Sequence, residues 1–237
     1  MFFKITMKEE LWNGIVLKQG PFRLGTDSVL LSHFLTLPPG ACVADLGAGC
    51  GTLGLLLAAR DPSCTVTGIE LDPEAYALGL ENCALNAPSR LRLLHGDVRQ
   101  IRELLPAGSF SCVVSNPPYF PVGSGKAANA YRSELTLNLK ELCEAAAWLL
   151  PSGGRFALVH RPERLCDLIW ELRSHGMEPK RIQFVRHKAD APVCLVLIES
   201  RRGGKPGLQY LPDFIEFNPD GTETEAYRTA YHRGDSL

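Results

Sequence analysis

Ala41-Cys42-Val43-Ala44-Asp45-Leu46-Gly47-Ala48-Gly49-Cys50-Gly51-Thr52 reads as a short apolar strand that ends on an acid and runs into a glycine turn and the start of a helix. An apolar run this short, closed by glycine, has the length of a buried strand rather than of a helix. Gly47, Gly49 and Gly51 recur at alternate positions, which lets the backbone pass close to whatever lies above the strand end. Outward from this stretch, strand and helix patterns alternate. A helix from Thr52 to Arg60 is followed by a strand from Thr65 to Glu70, and Pro73 opens a helix through Asn86, in its favoured first-turn place. Strands are expected at Leu91–Leu94 (before His95-Gly96-Asp97), Phe110–Ser115 and Arg155–Val159, and helices at Glu134–Leu150 and Pro162–Ser174. The last two strands, Arg181–Arg186 and Val193–Glu199, have no helix between them and should pair antiparallel. Alternation of this kind predicts an α/β fold: a doubly wound, mostly parallel, seven-stranded sheet covered on both faces.

Ahead of the sheet, Asn13-Gly14 between apolar residues signals a hairpin, and Thr26 or Asp27 is placed to cap a helix that ends before Pro38-Pro39-Gly40. The expected organisation is a hairpin and helix extension over 1–40, the sheet domain over 41–200, and an irregular acidic tail over 201–237 laid on the body. At 237 residues the chain is long enough to bury a core, and its net charge of −1 argues against a strongly electrostatic nucleic-acid binder. Charge is nonetheless uneven: residues 155–205 hold eleven Lys and Arg against six Asp and Glu, whereas 206–237 hold two against six. A moderately basic face beside an acidic tail suits transient RNA contact. Eight cysteines without any C-x-x-C pair, several (Cys42, Cys112, Cys194) inside apolar runs, read as buried, reduced thiols of a cytoplasmic protein with no metal site. No apolar run is long enough to span a membrane and no signal peptide is visible. A monomer or weak dimer is expected.

Gly49-Cys50-Gly51-Thr52-Leu53-Gly54 is a literal G-x-G-x-x-G, with Glu70 about twenty residues on, and a motif scan would read NAD. Asp45 stands against that reading, because an acid just before the glycines repels a pyrophosphate. Asp97 adds a further acid after the third strand. A glycine turn rimmed by acids suits a cationic, phosphate-free ligand, the sulfonium and amino group of S-adenosyl-L-methionine. Glu70, followed by Leu71, is placed to accept from two ribose hydroxyls, and Asp97 from an adenine amine, with the Val98 N–H as a neighbouring donor. The segment around Thr26 and Asp27 is read as folding over the charged end of the cofactor.

Asn116-Pro117-Pro118-Tyr119 closes the fourth strand. The Asn116 side-chain oxygen and the Pro117 carbonyl can both accept from one exocyclic amine. Pro117 and Pro118 fix the backbone and bring no competing N–H, and Tyr119 can stack on the ring that carries the amine. By itself the tetrapeptide is also a common turn starter. At the end of the strand that follows Asp45, Glu70 and Asp97, it reads as a receptor for a planar NH2 group.

These residues resemble the class I S-adenosylmethionine-dependent methyltransferases with an Asn-Pro-Pro-Tyr motif, and within them the tRNA-valine adenine-N6 methyltransferase family. The narrower likeness rests on Phe22-Arg23-Leu24-Gly25-Thr26-Asp27-Ser28-Val29-Leu30-Leu31, on Arg132-Ser133-Glu134, and on Pro212-Asp213-Phe214-Ile215 with Thr224-Glu225-Ala226-Tyr227-Arg228. The resemblance implies a Rossmann-like sheet and methyl transfer to the N6 amine of the adenine beside a tRNA anticodon. It implies cofactor contacts from Asp45, Glu70 and Asp97, and acceptor contacts from Asn116 to Tyr119. Lys126, Arg132 and the basic 155–205 region are the candidates for phosphate contact. Rival readings are a protein glutamine methyltransferase, a DNA adenine methyltransferase, a NAD-dependent oxidoreductase and a non-catalytic nucleotide-binding module.

Overall fold

The computed structural model describes residues 7–10, 14–19, 24–86, 90–117 and 137–232. Among these, β1 (Met7–Glu10) and β2 (Val16–Gln19) pair antiparallel, as expected of a hairpin about Asn13-Gly14, of which Asn13 lies outside the described residues. Helix α1 (Thr26–Phe34) follows. The sheet then runs through β3 (Cys42–Leu46), α2 (Thr52–Arg60), β4 (Thr65–Glu70), α3 (Pro73–Leu85), β5 (Leu91–His95), α4 (Ile101–Leu104) and β6 (Cys112–Ser115). It continues with α5 (Leu139–Leu149), β7 (Arg155–His160), α6 (Leu165–Ser174), β8 (Met177–Arg186) and β9 (Val193–Arg202).

The seven strands lie in the order β8-β9-β7-β6-β3-β4-β5. Strands β7, β6, β3, β4 and β5 are parallel, and β9 is antiparallel to both of its neighbours. Strand residues alternate between two cores. Val43, Cys112, Val114, Ala157 and Val159 face the side of α1 and α2, while Ala44, Leu46, Val113, Phe156 and Leu158 face the side of α5 and α6. Because the side-chain period of a strand is two, a sheet buried on both faces demands apolar residues at every position. That is why the strand segments read as uninterrupted apolar runs.

The acidic tail is more ordered than its sequence indicates. Gln209–Tyr210 (β10) and Phe214–Ile215 (β11) add to the β8 edge in parallel, and α7 (Glu225–Ala230) packs against α1. Strand β8 also starts earlier than expected, passing through Pro179. The register shifts between Pro179 and Arg181, an irregularity of the kind that admits proline into a ladder. Helix α5 starts at Leu139, where Asn138 and Glu141 form a reciprocal capping box; the expected start at Glu134 lies outside the described residues. Neither Thr26 nor Asp27 caps α1. Gly25 takes the N-cap without a side-chain bond, and Thr26 is the first helical residue. All eight cysteines are free thiols; Cys112 is buried as expected, but Cys42 and Cys166 are exposed and Cys194 is only half-buried.

The hairpin reaches the site indirectly. Asn82 on α3 and Asn86 at its C-cap, one turn apart, exchange hydrogen bonds with the backbone of Lys18 and Val16 and so occupy the outer edge of β2. Asn82 is fully buried and also donates to the Cys50 carbonyl at 2.9 Å, which ties hairpin, α3 and glycine turn together.

Candidate active site

The order β6-β3-β4-β5 sets four carboxyl ends side by side, carrying Asn116, Asp45 with the glycine turn, Glu70, and Asp97. This is the edge at which open α/β sheets bind their ligands. Gly47, Gly49 and Gly51 have φ of +76°, +56° and +82°, a region that side chains with a Cβ rarely enter. The turn is fixed by the N–H groups of Gly47 and Ala48, which both donate to the Ile69 carbonyl at the end of β4. Gly54 has another role, since a Cβ there would come within 2.6 Å of the Leu91 side chain. It lets α2 lie directly on the sheet.

Asp45 is 1% exposed, and its Oδ2 is buried without a hydrogen-bond partner. Burial, then the negative charge of Glu70, push its carboxyl up to about 7, opposed by a hydrogen bond from the Gly54 backbone. A buried acceptor of this kind is costly in the absence of a donor, and a bound ammonium would satisfy it. The donor set therefore fits the cationic amino group of S-adenosylmethionine. Glu70 is held at both oxygens by backbone, with Oε2 accepting from the Gly49 N–H and Oε1 from the Asp72 N–H, each at 2.7 Å. Each carboxylate oxygen keeps a second lone pair, so this clamp orients the acid without exhausting it.

Asp97 is engaged differently from the sequence expectation. Its carboxylate accepts from Arg99 Nε and Nη2 and from the Arg99 backbone N–H, and these bonds hold it below the usual carboxylate range. Val98 is buried and opens a short 3₁₀ turn, while Leu71 is 41% exposed beside Glu70. His95 stacks on Tyr76, and its Nε2 lies 3.0 Å from the Leu71 carbonyl.

On the acceptor side, Asn116 Nδ2 donates to Ser28 Oγ of α1 at 3.0 Å, and Pro117 is buried. Ser115 Oγ donates to the Leu46 carbonyl at 2.7 Å, which locks the end of β6 to the end of β3. Thr26 meets Tyr231, whose hydroxyl bonds to Thr26 Oγ1 at 3.1 Å. Pro118, Tyr119, Lys126, Arg132 and the segment Arg132-Ser133-Glu134 lie outside the described residues. Three residues near the site had no signal in the sequence. Ser28 and Arg99 are recognised only by what they touch. His160, at the end of β7, is buried and held down to about 4, mainly by burial, with Nδ1 accepting from the Arg161 N–H. Among the described residues, His187, Cys194 and Glu216 converge with their ligand atoms within 4.8 Å of one another. His187 already bonds Glu216, and the Cys194 thiol donates to the Val185 carbonyl.

The family model described as the methyltransferase small domain matches residues 21–171. The chain belongs to this methyltransferase family. A relative from a Flavobacteriaceae bacterium, described as tRNA1(Val) (adenine(37)-N6)-methyltransferase, is 30% identical over 83% of this chain and 92% of its own length. One of the same description from Porphyromonas gingivalis is 33% identical over 69% of this chain and 68% of its own. Among solved structures, a predicted O-methyltransferase from Agrobacterium tumefaciens superposes with a TM-score of 0.75, at 22% identity over 88% of this chain and 96% of its own. That likeness is one of fold. This methyltransferase uses S-adenosylmethionine, and the NAD reading of its glycine turn is not favoured. No helix among the described residues is long and apolar enough to cross a membrane.

Proposed function

We infer that this methyltransferase transfers a methyl group from S-adenosylmethionine to the exocyclic N6 amine of an adenine in tRNA, the adenine next to the anticodon. The observation that carries this reading is the placement of Asn116-Pro117 at the end of β6, directly beside the strand that ends in Asp45 and the glycine turn. The relatives named above, described as acting on that tRNA base, supply the acceptor.

S-adenosylmethionine, when bound, supplies an electrophilic methyl on a sulfonium. In the proposed site Asp45 and the glycine turn hold its amino-acid end under the segment around Thr26. Glu70 and Leu71 take the ribose, and Asp97 with the Val98 N–H takes the adenine edge. Asn116 Oδ1 and the Pro117 carbonyl accept the two hydrogens of the target amine. That removes the amine's lone pair from conjugation with the ring and turns it toward the reacting carbon. Pro118 stiffens this receptor and Tyr119 stacks on the flipped base, for which an unpaired loop nucleotide costs least. Lys126, Arg132 and the basic 155–205 face meet phosphates in a transient complex in the cytoplasm.

Methyl transfer from labelled cofactor to unmodified total tRNA, followed by nucleoside analysis, tests this directly. N6-methyladenosine is the expected product. Asn116→Ala should lower the rate about 10²- to 10³-fold, as loss of a preorganised transition-state contact does. Label found in protein instead of tRNA would move the acceptor to a glutamine amide.

A further inference from the structure

A planar asparagine amide fits its pocket in two orientations that exchange O and N, and only one of them offers an acceptor to an incoming amine. The flipped amide meets the amine donor to donor. Keeping Oδ1 toward the amine requires the Asn116 side chain to be anchored, and Ser28, 88 positions earlier, contacts it from across the site. We propose that Ser28 is a positioning residue for the reaction. Its hydroxyl oxygen accepts from Asn116 Nδ2 at 3.0 Å, which anchors the nitrogen end of the amide at α1 and places Oδ1 at the opposite end of the group. The inference rests on the reading of Asn116 given above.

Ser28 is suited to this because its helix cannot drift. At the C-terminal end of α1, the Arg60 guanidinium donates to the carbonyls of Ser32 and Leu35. Just beyond, the Thr36 N–H donates to the buried carboxylate of Glu199 at 2.7 Å, which also pairs with Arg155 and Arg181. Along its length Val29, Leu30 and Leu31 are buried in the core. At its N-terminal end Tyr231 bonds to Thr26, two residues before Ser28. A hydroxyl held this firmly imposes its position on the amide rather than following it.

The test compares wild type, Ser28→Ala, Ser28→Thr, Asn116→Ala and the Ser28→Ala/Asn116→Ala double variant, with S-adenosylmethionine and unmodified total tRNA. Alanine is the stronger helix former, so Ser28→Ala leaves α1 intact, and cofactor affinity monitors the fold. Ser28→Ala should lower kcat about tenfold, the effect of losing one well-placed hydrogen bond in the transition state, with the KM for the cofactor unchanged. Ser28→Thr, which keeps the hydroxyl, should restore most of the rate. The double variant should be no slower than Asn116→Ala, because a positioning residue has nothing left to position. Wild-type kcat in Ser28→Ala, no rescue by threonine, or a further tenfold loss in the double variant would each overturn the proposal. If Asn116→Ala itself is fully active, the reading of Asn116 falls and takes this inference with it. If Asn116→Ala is impaired while Ser28→Ala is not, only the role of Ser28 falls.

Discussion

The two sides of the site are built from different distances in sequence. On the cofactor side, Asp45, the glycines and Glu70 lie within 45–72 and are held by one another's backbone: Gly49 and Asp72 donate to Glu70, and Gly47 and Ala48 donate to Ile69. On the acceptor side, Asn116 donates to Ser28, and the helix that carries Ser28 is tied through Thr26 to Tyr231, 205 positions away. A motif that orients itself survives changes elsewhere in the chain. A side chain oriented by remote helices depends on how the whole molecule closes.

The sharpest way to break this comparison is at Asp45. Asp45→Asn should weaken S-adenosylmethionine binding about 100-fold, the scale for removing one charge of a buried ionic contact. The same change should stabilise the apoprotein by roughly 1–3 kcal/mol near pH 8, because it removes a carboxylate whose ionisation the fold opposes. Calorimetric titration and thermal melts read the two effects separately, and a variant that loses both affinity and stability would contradict the electrostatic account.

The next effect is one of pH. The folded-state value for Asp45, about 7, lies above its ordinary value of 3.8, so ionisation costs the apoprotein stability as pH rises from about 4 through about 7. A bound cation reverses that cost by favouring the carboxylate. Affinity for the cofactor should therefore climb roughly tenfold between about pH 6 and about pH 8 in the wild type, and stay flat in Asp45→Asn. A flat wild-type profile would mean that Asp45 is already ionised without ligand.

The smallest effect belongs to the acceptor side. Tyr231→Phe removes the hydroxyl that meets Thr26 and leaves the ring stacked on Tyr227. It should lower kcat roughly two- to threefold, as a single exposed-to-half-buried hydrogen bond acting at second hand would, without changing cofactor affinity. A larger loss in cofactor binding than in kcat would move α7 to the other side of the comparison.

Much of this was legible beforehand, for reasons that differ by region. The parallel strands announced themselves because burial on two faces forces continuous apolar runs, and the glycine turn because only glycine accepts its positive φ. The tail was not legible. Gln209–Tyr210 and Phe214–Ile215 are two-residue strands whose stability comes from the β8 edge rather than from any pattern of their own. The cap of α1 is not legible because Thr26 and Asp27, which have the right chemistry, stand one and two residues past the N-cap Gly25. Asp97 reads as an acid at a strand end, but Arg99, two residues on, takes its carboxylate in a fork of hydrogen bonds that no spacing rule signals.

From its sequence alone the chain determined a doubly wound sheet, the acids and glycines at the ends of its strands, and Asn116-Pro117 at the end of the fourth. These depend on the two-residue period of a strand and on the conformational freedom of glycine, which are properties of contiguous residues. Only the tertiary structure decided that one oxygen of the Asp45 carboxylate is left without a partner, that Asn82 binds the hairpin to the glycine turn, and that Ser28 meets Asn116. Those facts require elements far apart in the chain to be packed together, and burial and hydrogen-bond geometry at such contacts exist only after the core has closed.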